Sequence, residues 1–181
     1  QPDADEPHGN LGVLLQEAGQ LEQAIHHFRM AIRYARTPET AQRNSGNLAG
    51  ALTEKGSRDY TEGRIQEAVA SLSEATGIAP GQPEILSRLG IAQLAAGRFS
   101  DAVSSFEVAL ESDPDDGALL CRLALALALD GQLDRAAQTY RRVLEIDPGN
   151  RNGPNDPVRL LAGMGRDDLA RQLQQRAAGS G

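Results

Sequence analysis

One phrase recurs five times along the 181-residue chain: an alanine, a large residue four places on, and a small residue three places after that. It reads Ala24/Phe28/Ala31, Ala68/Leu72/Ala75, Ala102/Phe106/Ala109, Ala136/Tyr140/Val143 and Ala170/Gln174/Ala177, and the last four copies keep a step of 34 residues. Gly63, Gly97, Gly131 and Gly165 hold the same step, as do Pro80, Pro114 and Pro148. A fixed period of this length predicts a stack of identical supersecondary units, each burying its apolar face against the next. Such stacks present extended concave surfaces and not a single deep catalytic pocket.

The period within each unit is helical. In 98–112, Phe99, Ala102, Val103, Phe106, Ala109 and Leu110 fall on one face of an α-helix. Strict alternation of the kind that builds strands is absent. Each unit therefore reads as a helix, a turn centred on glycine, a second helix and a terminating proline. Glycine accepts positive φ without steric cost, and proline cannot donate to a continuing helix. Aromatic residues are only 3 % of the chain, so the core must be built from Leu, Ala, Ile and Val, which suits closely approaching helices.

These residues resemble the tetratricopeptide repeat family, whose 34-residue helix–turn–helix units carry Leu-Gly in the first helix and Ala, an aromatic, Ala and Pro in the second. The unit 83–116 matches it at Leu86, Leu89-Gly90, Gly97, Ala102, Phe106, Ala109 and Pro114. The unit 117–150 matches at Leu120, Leu123-Ala124, Gly131, Ala136, Tyr140, Val143 and Pro148, and the unit 5–38 at Leu11-Gly12, Gly19, Ala24, Phe28 and Ala31. The resemblance implies an all-α, right-handed α-solenoid of about five hairpins forming one domain over 5–178. The units are 5–38, 42–82 with an insertion, 83–116, 117–150 and a shortened cap at 151–178, with loose ends at 1–4 and 179–181.

Two irregularities stand out. Asn47-Leu48-Ala49 followed by Gly56 echoes Asn10-Leu11-Gly12 followed by Gly19, which makes Gly56 look like a turn glycine. The next helix is nevertheless keyed to Gly63, so 57–63 is expected to prolong the first helix of that unit, with Tyr60 and Ile65 packed near its end; a longer loop is the alternative. In the last unit, Asp156 and Pro157 are placed as N-cap and first helical residue of a short helix 157–163. Its partner, 166–178, is polar on its outer side, as a terminal repeat facing water should be.

Catalytic constellations are missing. His26 and His27 are adjacent, so on a helix their side chains diverge by about 100° and do not chelate one ion easily. There is no Cys-x-x-Cys-His, P-loop or Gly-x-Ser-x-Gly pattern. The single cysteine, Cys121, lies in an apolar run and reads as a buried inert thiol. A non-enzymatic chain without metal or cofactor is expected. The net charge of -7 argues against a nucleic-acid surface. No run approaches the ~20 apolar residues that span a bilayer. No targeting segment is visible in a chain that starts without Met, so the expectation is a soluble protein of the cytoplasm or periplasm.

The resemblance implies that first helices line a groove, with Asn10, Asn47, Arg88 and Arg122 at equivalent inward places. Arg88 and Arg122 are suited to gripping a carboxylate. The rest of the family's clamp for chaperone tails is not matched, because Gly9, Val13 and Glu84 stand where it needs Lys, Asn and Lys. Helix 118–129 is apolar all round except at Arg122, so Leu125 and Leu129, with Ile91 and Leu94, either line an apolar groove or are covered by the short cap helix. The expected groove set is Asn47, Arg88, Ile91, Leu94, Arg122, Leu125 and Leu129. The expected function is a scaffold for a peptide, helix or protein partner, with self-association as a further mode. The alternative is an assembly arm of a larger complex or multidomain enzyme.

Overall fold

The computed structural model describes residues 5–151 and 153–179. They form ten α-helices in five antiparallel hairpins. The chain packs as two compact units, 1–88 and 89–181, whose boundary falls inside the fifth helix. In the first unit, α1 (Asp5–Glu17) pairs with α2 (Leu21–Tyr34) and α3 (Pro38–Thr61) with α4 (Ile65–Ile78), followed by the start of α5 (Pro83–Ala95). The second unit holds the rest of α5, then α6 (Phe99–Leu110), α7 (Gly117–Leu129) and α8 (Leu133–Ile146). A 3-10 turn at Pro148–Asn150 leads to α9 (Pro157–Gly163) and α10 (Asp167–Ala178).

The same hydrogen-bonded corner closes all five hairpins. Gly19, Gly63, Gly97, Gly131 and Gly165 have φ between 72° and 82°, the left-handed region. The amide after each glycine donates five residues back, as in Arg98 N to Gln93 O and Gln132 N to Leu127 O, both 2.8 Å. This is the Schellman closure, and a Cβ at the glycine would cost roughly 1–2 kcal/mol.

A second glycine, seven residues earlier, sets how closely the two helices approach. A methyl group on Gly12 would lie 2.6 Å from the Phe28 ring, one on Gly90 2.6 Å from Phe106, and one on Gly56 2.6 Å from Leu72 Cγ. Phe28, Leu72 and Phe106 are buried, and so are Ala124 and Tyr140, which hold the corresponding places seven before and nine after Gly131. Gly56 is therefore a crossing glycine and not a turn glycine, which corrects the register read from Asn47-Leu48-Ala49. Helix α3 is continuous to Thr61, so the segment 57–61 is helical. Its added turns, however, lie at its start: α3 begins 25 residues before Gly63, whereas α1, α5 and α7 begin 14 before their glycines. Tyr60 is exposed and does not pack at the helix end.

The added turns of α3 lie beside α1. Thr37 caps them by accepting from Thr40 N at 3.2 Å. Asn44 is buried, donates to Thr40 O at 3.0 Å, and leaves room only for a glycine at Gly9. Helix α1 is also tied to α2 by a hydrogen bond between His8 Nδ1 and His27 Nδ1 at 2.8 Å, with the His8 ring stacked near Tyr34. Burial first, and then the charges of His8 and His26, hold His27 below its ordinary pKa of 6.5. The unfolded chain therefore binds this proton more readily than the folded one, so stability is full above pH 6.5 and falls as pH drops through that value. A lower melting temperature at pH 5 than at pH 7.5 is expected, and His27→Gln should shrink that difference. An unchanged difference would show that the acid sensitivity lies elsewhere.

Helix α7 is enclosed. Asp116 caps it through Ala118 N and Leu119 N at 2.9 and 3.0 Å. Every residue from Leu119 to Ala128 except Arg122 is buried, with α6, α8 and α9 packed around the helix. Asp156 caps α9 by accepting from Val158 N at 3.0 Å, as its place before Pro157 predicts.

Candidate functional site

In the first unit a cleft of about 400 Å³ runs between α3 and the start of α5. Its floor is Gly46, Ala49 and Gly50, and its walls carry Thr53, Glu54 and Ser57 on one side and Gln82, Glu84, Ile85 and Arg88 on the other. Spacing by three and four residues places Gly46, Gly50, Thr53 and Ser57 along one stripe of α3. A methyl group on Gly46 or Gly50 would meet nothing within 4 Å, so these glycines keep the floor low and packing does not require them. In the second unit, clefts of about 340 Å³ near Glu107 and Arg142 and about 470 Å³ between α8 and α10 are bordered mainly by second helices of hairpins.

The α3–α5 cleft is rich in acceptors. Thr53 Oγ1 donates to Ala49 O at 2.7 Å and Ser57 Oγ to Thr53 O at 2.9 Å, so both hydroxyls face the cleft with lone pairs to offer. Arg88 is committed: Nη1 donates to Ser57 Oγ at 2.9 Å and Nη2 to Glu84 Oε1 at 2.8 Å. Glu54 accepts from Gln16 at 3.1 Å, which carries the acceptor edge towards α1. With Glu84 offsetting Arg88, Glu54 leaves the lining one negative charge in excess.

The residues predicted for a groove fall in both compact units. Arg88 lines the cleft, while Asn47 lies half-buried on α3 and does not. Counted back from the turn glycine, Glu54 and not Asn47 is the equivalent of Asn10, Arg88 and Arg122, which explains the exchange. Ile91, Leu94, Arg122 and Leu129 are half-buried in the second unit. Leu125 is only 8 % exposed, because α7 is packed on several sides, α9 among them. Of the apolar residues expected to line a groove, Leu125 is therefore buried, while Ile91, Leu94 and Leu129 keep part of their surface exposed. Sequence reasoning missed Gly50, Thr53, Glu54 and Ser57; the seven-residue slip hid them.

Groups with intrinsic reactivity are sealed. Cys121 is fully buried, burial pushes its pKa up to about 11, and it receives a weak hydrogen bond from Asn150 Nδ2 at 3.4 Å. Burial and a hydrogen bond to Asp156 push the Tyr140 phenol up as well. Among the described residues no group of three His, Cys, Asp or Glu side chains is placed to hold a metal ion. No described helix is long and apolar enough to cross a membrane.

The stacked hairpins, the glycine corners and the glycine–aromatic crossings define a protein of repeated helical hairpins. Residues 87–151 match the family model described as a tetratricopeptide repeat. Among solved structures, YrrB, described as a TPR protein with an unusual peptide-binding site, is 21 % identical with a TM-score of 0.58, covering 94 % of this chain and 83 % of that one. A MamA double mutant from strain RS-1 is 16 % identical with a TM-score of 0.60, covering 97 % and 93 %. The first TPR of Spaghetti (RPAP3), bound to an HSP90 peptide of sequence SRMEEVD, is 22 % identical with a TM-score of 0.55, covering 70 % and 93 %. At these identities the likeness is one of fold. The search of curated sequences found no match.

Proposed function

We propose that the chain is a non-enzymatic interaction scaffold whose α3–α5 cleft receives an extended peptide segment carrying a Lys or Arg side chain. The observation behind this reading is the cleft's chemistry: a bare glycine floor, the Thr53 hydroxyl and the remaining lone pair of Ser57 as acceptors, and the Glu54 carboxylate in excess over the paired Glu84 and Arg88. Such a lining rewards donors and cations and penalises an acidic tail. Arg88, the residue that would hold a carboxylate, is already bonded to Glu84 and Ser57. The peptide-binding site of YrrB and the HSP90 peptide on the first TPR of Spaghetti support the reading as to fold, although the Spaghetti ligand is acidic.

The test is a fluorescence titration with short peptides of matched length bearing Lys, Arg, Glu or neutral residues. Basic peptides should bind best. Gly50→Phe puts a ring on the floor at a place where the Cβ itself meets nothing within 4 Å, and Glu54→Gln removes the excess charge; each should weaken binding about tenfold, worth about 1.4 kcal/mol. Equal binding of all peptides, or no loss in either variant with folding intact, would remove the proposal.

A further inference from the structure

The face of α1 turned away from α2 carries Pro7, Leu11 and Leu14, one stripe at helical spacing that runs on to Ala18 just past the helix end, and all four are exposed. Leu11 is 42 % exposed and Leu14 61 %, while Leu123, the equivalent of Leu11 in α7, is 7 % exposed. The equivalents of Pro7 and Leu14 in α7 are Leu119 and Ala126, and both are buried. In α7 this face meets the second helix of the preceding hairpin, α6. The same geometry joins α3 to the hairpin before it: Ala51 and Leu48 cluster with Ile25 and Ile32 of α2, and Arg58 reaches Gly19 O at 3.1 Å. The stripe on α1 is therefore, by register, the surface on which a preceding hairpin stacks.

From this register we infer that α1 is an open stacking face whose occupant is a tetratricopeptide-type hairpin outside this chain, docking through its second helix. The chemistry of that helix can be read from the ones that do this work here. It places two apolar residues seven apart, one just after the recurring alanine, as in Ile25/Ile32 and Val103/Leu110. A second copy of this chain does not supply it through its terminal helix, because α10 has Arg171 at the first of those places and exposes Gln174 and Gln175 beside it. The two ends of the stack are thus unlike: one closes with amides and guanidinium groups, the other with leucines. The α3–α5 cleft plays no part in this surface.

The probe is the chain's own hairpin. Residues 83–116 joined directly ahead of Asp5 keep the 34-residue step and bring Val103 and Leu110 of the duplicate over Leu11 and Leu14. The extended protein should melt at least about 5 °C higher than the original, and amide exchange in α1 should slow about tenfold. Leu11→Glu with Leu14→Glu should abolish both gains in the extended protein while leaving the original chain's melting temperature unchanged. No gain from the added hairpin, or a gain that survives the two glutamates, overturns the inference. So does light scattering that finds the original chain dimeric and the Leu11→Glu/Leu14→Glu variant monomeric, since a second copy would then occupy the face.

Discussion

Truncating Phe106 to alanine is expected to cost about 3–5 kcal/mol, the range for deleting a fully buried aromatic ring, and to lower the melting temperature by roughly 10 °C. The ring is completely buried and lies where α5 and α6 cross, against the bare backbone of Gly90. The sharper expectation concerns the pair. In the native protein a Gly90 methyl would sit 2.6 Å from the ring. Gly90→Ala alone should therefore destabilise by about 1–3 kcal/mol through overpacking, which outweighs the ~1 kcal/mol that alanine gains over glycine in a helix. In the Phe106→Ala background the clash is gone and the methyl occupies part of the cavity, so Gly90→Ala should then stabilise. A sign reversal measured by chemical denaturation identifies the contact; simple additivity would show that glycine and ring do not set the crossing. Gly12 and Phe28 repeat the geometry in the other compact unit and give an independent trial of the same reasoning.

That crossing was legible in the sequence because both partners sit at fixed distances from the turn glycine, seven before and nine after. The register of α3 was harder to read for a reason of helical geometry. Gly56 and Gly63 are seven residues apart, nearly two turns, so both project from almost the same side of a helix and either satisfies the spacing to what precedes it. The packing of Gly56 on Leu72 and the left-handed φ of Gly63 separate them, and with that choice Glu54 replaces Asn47 at the equivalent place. The fate of α7 was half legible. A helix apolar on every side must be covered somewhere, but the sequence did not say whether α9 or a partner would help cover it. Arg88 shows the same division. Its bond to Glu84 is an i,i+4 pair visible in the sequence, while its bond to Ser57 spans 31 residues and depends on how α3 meets α5.

Asp59 is where the sequence departs furthest from its own pattern, and replacing it should be the second-largest effect. It sits four residues before Gly63, a place held by Leu15, Leu127 and Leu161 in three other hairpins and by Gln93 in the fourth. The carboxylate is 2 % exposed, accepts from Lys55 Nζ at 2.6 Å, and accepts from Arg64 Nη2 and Nε at 2.6 and 2.9 Å. Burial alone would raise its pKa, but the hydrogen bonds and charges of Lys55 and Arg64 outweigh burial and hold it below the ordinary 3.8. The stability it contributes is therefore complete above that value and is lost as pH falls through the lower folded-state pKa. Asp59→Ala takes this carboxylate from two cations, Lys55 and Arg64, at the corner of α3 and α4, with Glu62 still beside Arg64. Both retain contact with water, so the cost should be about 2–3 kcal/mol, below the 3–5 kcal/mol typical of a fully buried pair broken on one side. The double replacement Lys55→Leu with Asp59→Leu restores leucine at two places where the other hairpins use it, Leu11, Leu89 and Leu123 being the equivalents of Lys55. It should recover most of the loss or exceed the native stability, because exchanging a buried ion pair for packed apolar groups is often neutral or favourable. Denaturation of the two variants at pH 7 and pH 3 decides the matter. If the double variant is as weak as Asp59→Ala, the ion cluster is required for the corner itself and is not an alternative to an apolar one.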